Sequence, residues 1–90
     1  MERLEIILSI KDKEIMRVEG SSSRPDPGAL PHSIEQPTYT YAGQNGKVRQ
    51  GLVDVNEIMM EADKMGRNSG QDYNLCLYLT FKPTGEEETQ

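Results

Sequence analysis

The segment 20–37 constrains the fold most, because it holds four of the five prolines of the chain. Proline lacks the backbone N–H that a strand or helix needs, and it disfavours helix at the preceding residue. Connections longer than about 12–15 residues are uncommon in compact domains and are usually functional or disordered. We therefore expect one long irregular loop over 20–37.

Alternating apolar residues predict a β-hairpin before this loop. The first strand carries its apolar face at Leu4, Ile6, Leu8 and Ile10. This spacing has the period of two of a strand, the charged run 11–14 suits a solvated turn, and residues 15–19 resume the pattern. After the loop, 38–42 and 47–50 flank the turn-favouring pair Asn45-Gly46 and predict a second hairpin.

The next segment has the pattern of an amphipathic helix. Asp54 is a suitable N-cap, with Glu57 three positions later as in a capping box, and Gly66 is a natural stop. The apolar positions with helical spacing are Val55, Ile58, Met59, Ala62 and Met65. A second strongly alternating strand follows, and its large apolar face favours a central place in the sheet. Its apolar positions are Leu75, Leu77, Leu79 and Phe81.

These elements predict an α+β fold: a small, mostly antiparallel sheet of four to five strands with one helix packed on one face. The order is β-hairpin, long loop, β-hairpin, helix, strand. We expect a single domain over 1–83 and an acidic tail over 84–90. The other sheet face would carry Ile7, Cys76, Tyr78 and Thr80, a mixed surface that is either solvated or buried in a homodimer or higher oligomer.

Composition excludes several classes. The net charge is −5 and no basic stripe is visible, which disfavours binding of duplex DNA. Cys76 is the only cysteine, so an intramolecular disulfide is impossible and a reducing, cytoplasmic setting is expected, that of the host cell if the protein is viral. No apolar run approaches the roughly 20 residues that span a bilayer. Only 34% of residues are apolar, so the core is small and an oligomer or partner would help to cover it.

The sequence contains no recognisable catalytic apparatus. His32 is the lone histidine, and the serines and Asp26 that surround it belong to the same irregular segment, which does not hold a nucleophile and base in a fixed geometry. No metal-ligand cluster or cofactor motif is present. We therefore expect no enzyme, no metal and no cofactor, and we interpret His32 as a residue of a binding loop.

Two groups of residues have the chemistry of a small-ligand site. Ser22, Ser23 and Arg24 follow a predicted strand and offer hydroxyls, backbone N–H groups and a guanidinium to an anion, although a flexible linker has the same composition. Tyr39 and Tyr41 lie two positions apart on one strand face. Such a pair can stack nucleobases, with Arg49 near enough for phosphates, but half-buried core tyrosines have the same spacing.

Two helix positions suggest contact with a protein. Met60 falls outside the apolar stripe and is expected to be exposed, which is a modest indication of a binding surface. Glu61 shares the polar helix face with Glu57, where partner arginines could bind, although a solvated face is the ordinary interpretation.

We interpret the chain as a small intracellular, non-enzymatic interaction protein that binds and modulates or inhibits a protein partner. It resembles accessory proteins of phages and mobile elements in general character only. One alternative is an oligomeric nucleotide or small-anion binder, a sponge, that uses Tyr39, Tyr41 and the Ser-Arg segment. A second alternative is a structural subunit of an assembly such as a virion.

Overall fold

In the computed structural model the described residues are 2–24, 26 and 28–81, and they form one sheet and one helix. The elements are β1 (Glu2–Ile10), β2 (Lys13–Ser23), β3 (Ser33–Tyr41), β4 (Lys47–Val48), β5 (Leu52–Asp54), α1 (Val55–Asn68) and β6 (Tyr73–Phe81). All described strand pairs are antiparallel. The α+β class predicted from the sequence is thus confirmed. The predicted domain end at 83 and the acidic tail 84–90 lie outside the described residues.

The strand order is β4-β3-β2-β1-β6, and β5 pairs with β3. The central strand β1 carries Leu4, Ile6 and Leu8, whose side chains are 0% exposed. The prediction that β6 is central was wrong, because β6 pairs with β1 and ends the sheet on that side. The leucines of β6 continue the apolar rows of β1, so their large apolar face extends the core at its margin.

Helix α1 covers one face of the sheet and completes the core. The buried apolar side chains are Leu4, Ile6, Leu8, Met16, Val18, Ile34, Tyr39, Val53, Val55, Ile58 and Ala62. The Oδ1 atom of Asp54 accepts a hydrogen bond from the backbone N–H of Asn56 at 2.7 Å. This bond satisfies one of the free donors of the first turn, so the predicted N-cap is confirmed.

The helix continues two residues beyond Gly66, the predicted stop. Gly66 lies inside α1 and is buried, and a Cβ added there would lie 2.3 Å from Cδ2 of Tyr73. The glycine therefore allows the Tyr73 ring to lie against the helix backbone, where the Tyr73 hydroxyl donates to Asp63 at 2.6 Å. The positive φ that follows the helix belongs to Gly70, at 68°.

The irregular segment is shorter than the predicted 20–37, because β2 continues through Ser23 and β3 begins at Ser33. Pro37 lies buried within β3, in a β-bulge of that strand: the register runs from Glu19↔Thr38 to Ser21↔Glu35, so Gln36 and Pro37 together face Gly20. A bulge interrupts the ladder of hydrogen bonds, which is why a proline is tolerated there.

Both predicted hairpins are present, but the tight turn of the second hairpin is not at the predicted position. Lys11 and Asp12 connect β1 to β2 with φ of 53° and 64°, the left-handed pair typical of tight hairpin turns. After β3, the backbone N–H of Gln44 donates to the carbonyl of Tyr41 at 3.0 Å, and Gly43 takes the positive φ of 72°. The tight turn therefore precedes the predicted Asn45-Gly46 pair.

The face of the sheet opposite α1 is polar and ion-paired. Arg17 on β2 forms ion pairs with Glu5 on β1 and, at 2.7 Å, with Glu14. Arg3 pairs with Glu19 at 2.8 Å. This face also carries a small group of less polar residues, Ile7, Cys76 and Tyr78, as predicted. In the part of the chain that the structure describes, no helix has the length and apolar character needed to cross a lipid bilayer.

Candidate functional site

A groove of about 530 Å³ lies where the loop before β3, the helix and the edge strand meet. Its walls are residues 29–32 of the loop, the first turns of α1 around Met59, and Leu77 of β6. We call it the 29–32 groove. His32 is the ionisable side chain among its lining residues, and the remaining lining is mostly apolar.

The loop wall of the 29–32 groove is anchored by the chain itself. The backbone N–H of His32 donates to the carbonyl of Ser23 at 3.1 Å, and the N–H of Val55 donates to the carbonyl of His32 at 2.9 Å. Pro31 is buried. These contacts join the loop to the end of β2 and to the start of α1. Leu30, which directly precedes Pro31 and His32, is nevertheless 75% exposed.

The floor of the groove is made of core residues that are only partly covered. Met59 and Leu77 are half-buried and pack against the central core. Leu77 lies opposite Ile6 in the sheet, so it extends the buried row of β1 to the margin. An apolar side chain of a partner, placed between Leu30 and this floor, would be removed from water. This burial of apolar surface is the main source of binding free energy in the groove.

Ser22, Ser23 and Arg24 lie at the end of β2 and beyond it, rather than in a flexible linker. Nη2 of Arg24 forms an ion pair with the Glu2 carboxylate at 2.9 Å, and the hydroxyls of Ser23 and Ser33 are 2.8 Å apart. The Ser22 hydroxyl is buried and has no hydrogen-bond partner among the described residues. An anion at this place would compete with Glu2 for the guanidinium.

Tyr39, Tyr41, Arg49 and Glu61 come together on the other flank of the helix. The tyrosine ring centroids are 6.5 Å apart with planes at 27°, and the Arg49 guanidinium lies 5.8 Å from the Tyr39 ring centroid. Burial, and then the negative charge of Glu61, raise the pKa of Tyr41 above its ordinary value. Tyr39 is 2% exposed and belongs to the core, so Tyr41 is the member of the pair with accessible surface.

Met60 is exposed on α1, beside Asp63 and Arg67, which form an ion pair at 2.8 Å. It does not line the 29–32 groove. The structure therefore distributes the residues singled out in the sequence over three places. The serines, Arg24 and His32 lie around the base of the loop, the tyrosine group lies at the far end of β3, and Met60 lies on the helix.

Sequence reasoning missed Leu30, Met59 and Leu77 as groove residues. Leu30 had a detectable signal, because it is a large apolar residue in a polar, proline-rich segment and directly precedes Pro31. Met59 and Leu77 fit core patterns, and nothing local indicates that one side of each remains accessible. Their common role depends on the packing of three separate segments.

No group of three or more His, Cys, Asp or Glu side chains that could hold a metal ion occurs within 2–24, 26 and 28–81. The lining of the groove is mostly apolar and includes the polar side chains of His32 and Asn56. No protein-family model matches the chain, and no curated protein or solved structure is similar to it.

Proposed function

We propose that this chain is a non-enzymatic interaction protein that holds an apolar segment of a protein partner in the 29–32 groove and thereby modulates or inhibits that partner. The observation that carries the proposal is the exposure of Leu30 on an anchored loop, facing a partly open apolar floor. Single exposed apolar side chains are common on proteins, but an apolar side chain that continues into an apolar groove forms a contiguous patch, and such patches mark binding sites.

The anchoring of the loop matters for affinity. A flexible loop loses conformational entropy when a partner orders it, whereas a loop already bonded to β2 and α1 loses little. Covering Leu30 contributes about 1.5–3 kcal/mol if its side chain becomes fully buried. Recognition of this kind selects partners by the shape of one or two apolar side chains.

The setting of this activity is also part of the proposal. The single cysteine, half-buried on β6, is compatible with a reducing compartment, and we place the protein in the cytoplasm, that of the host if its source is viral. The partner is then an intracellular protein that presents an exposed apolar segment.

The nucleotide or anion alternative has less support. Stacking on Tyr39 would require the core to open, since the ring is already buried. Glu57 and Glu61 act electrostatically on Arg49, so phosphates would meet negative charge beside that arginine. The ion pair of Arg24 with Glu2 leaves the Ser-Arg segment less suited to anions.

The experiment compares Leu30→Asp with Leu52→Asp as baits in a native cell extract. Leu52 is a matched control, because it is 66% exposed on β5 and does not line the groove. A protein captured by the unaltered chain is identified by mass spectrometry, and its affinity for each variant is measured by calorimetry. We expect Leu30→Asp to weaken binding by roughly 10–150-fold, the equivalent of the lost burial.

Circular dichroism establishes that both variants fold. Equal affinity of Leu30→Asp and the unaltered chain for every captured protein would refute the groove as the binding site. Equal losses in the two variants would mean that charge on any exposed loop or edge position weakens binding, and this outcome would also refute the proposal.

A further inference from the structure

The outer edge of β6 lacks the features that normally protect an edge strand. β6 is nine residues long and pairs with β1 in an unbroken register from Glu2↔Phe81 to Ile10↔Tyr73. It contains no charged residue and no proline. At the other end of the described strand order, β4 has only two residues and carries Lys47. Proteins usually block exposed edges by shortness, charge, proline or bulges, because an open edge can pair with another strand.

The rows of apolar side chains that run across β1 and β6 end at this edge without being fully covered. The cross-strand partners Leu4, Ile6 and Leu8 on β1 are completely buried, whereas the β6 leucines opposite them are half-buried. These half-buried leucines are Leu75, Leu77 and Leu79. On the other face, Tyr78 is 51% exposed. A strand added beside β6 would therefore cover apolar surface on both faces and would also satisfy the free backbone groups.

The sequence of β6 is close to palindromic in polarity about Leu77. In an antiparallel pair of two β6 strands centred on this residue, each position meets one of similar character on the same sheet face. The facing pairs across the two copies would be Leu77 with Leu77, Leu75 with Leu79, Cys76 with Tyr78, and Asn74 with Thr80.

We propose that two copies of the chain associate through β6, antiparallel and centred on Leu77, so that one continuous sheet crosses the two-fold axis. The palindrome favours a second copy over an unrelated strand, which would match this pattern only by coincidence. The inference goes beyond the proposed function. The dimer uses the backbone edge of β6 and the apolar side chains beside it, whereas the 29–32 groove uses Leu77 together with the loop and helix, so Leu77 is common to both contacts.

The first test is the molar mass of the purified chain, measured by sedimentation equilibrium from low to high micromolar concentration. We expect a reversible dimer. Tyr78→Lys places a charge on the edge opposite Cys76 of the second copy and should give a monomer. Thr40→Lys is the control, since Thr40 is exposed on the same sheet face but on β3. A second edge variant, Thr80→Lys, should behave like Tyr78→Lys.

The second test fixes the register by disulfide formation. In a Cys76→Ser background, Leu77→Cys puts one thiol of each copy at facing positions, within the Cα separation that a disulfide requires. Oxidised glutathione takes up the two electrons as the two thiols lose their protons and form one S–S bond. We expect a covalent dimer for this variant and none for Leu75→Cys, which faces position 79 in the proposed register.

A strictly monomeric chain would overturn the proposal, and so would a dimer that both lysine variants leave intact. Efficient cross-linking of Leu75→Cys, or none of Leu77→Cys in a chain that still dimerises, would overturn the register. The outcome is independent of the groove, because these measurements use the purified chain alone. Leu30→Asp should remain dimeric even though it loses its partner.

Discussion

Gly20 is a position where a single methyl group should destabilise the sheet. It lies on β2 opposite the bulge of β3, and a Cβ built there would be 2.0 Å from Cγ2 of Ile34 and 3.1 Å from the carbonyl oxygen of Glu35. Carbon atoms in contact are ordinarily about 3.5–4.0 Å apart, so the two carbons would have to separate by roughly 1.5–2 Å. Ile34 is completely buried and β-branched, so the side chain cannot rotate away and the strands must move.

The expected cost follows from the size of this overlap. Overpacking of a core typically costs about 1–3 kcal/mol, and an overlap that requires movement of backbone belongs at the upper end. We therefore expect Gly20→Ala to lower the free energy of unfolding by about 3 kcal/mol. Because small domains have total stabilities of about 5–15 kcal/mol, the variant should remain measurable.

A double-mutant cycle separates this contact from other effects of alanine. Ile34→Ala removes Cγ2 and costs about 2–5 kcal/mol by itself, but it makes room for the new methyl group. Gly20→Ala should then cost less than about 1 kcal/mol in that background, a coupling of about 2 kcal/mol. Ile34→Val is the control, because it keeps the methyl group at the Cγ2 position. In this background Gly20→Ala should cost as much free energy of unfolding as it does in the unaltered chain.

The assay is urea unfolding followed by circular dichroism, with the free energy obtained by linear extrapolation. If Gly20→Ala costs the same in the Ile34→Ala and Ile34→Val backgrounds, the reasoning from the Gly20–Ile34 contact is refuted. A Gly20→Ala single variant with an unchanged free energy of unfolding would refute it as well.

Two further predictions concern single contacts. Asp54→Ala should lower the free energy of unfolding by about 1 kcal/mol in urea titrations, because the Asn56 N–H loses its acceptor; an unchanged value would contradict the cap. The hydrogen bond from Arg17 lowers the pKa of Glu14 below its ordinary 4.5. The stability from this pair is therefore complete above that value and is lost as the pH falls below it, so Arg17→Met should reduce the drop in urea midpoint between about pH 6 and pH 3. An identical drop in both proteins would contradict this assignment.

The sequence was sufficient for the elements whose signal is local. The period-two pattern of β1 and the capped, amphipathic pattern of α1 depend on residues a few positions apart, and both elements begin where the pattern predicts them, although α1 continues beyond Gly66. Pro37 shows the limit of this reasoning. A proline is compatible with a strand at a bulge, and whether Gln36 and Pro37 form one depends on their pairing with Gly20, which belongs to a different part of the chain.

The candidate site was harder to predict, because non-local packing creates it. The spacing of Tyr39 and Tyr41 showed that they share a strand face, but only the position of α1 decides that this face is the core. Similarly, the place of β6 depends on which edge of β1 remains free after β2 has paired. No pattern within β6 carries that information, since a long apolar face suits a central strand and an edge strand alike.

The position of β1 between β2 and β6 has a consequence for folding. Its contact with β2 closes a short turn, whereas its contact with β6 joins opposite ends of the described chain. Closing the longer loop between β1 and β6 costs more conformational entropy than closing the β1–β2 hairpin. The hairpin can therefore form early, while the other edge of β1 is still unpaired. During that interval the most deeply buried strand of the protein has one unpaired edge, which is open to intermolecular pairing. We therefore expect β6 to pair with β1 late in folding, and a variant that slows this pairing should aggregate more during refolding.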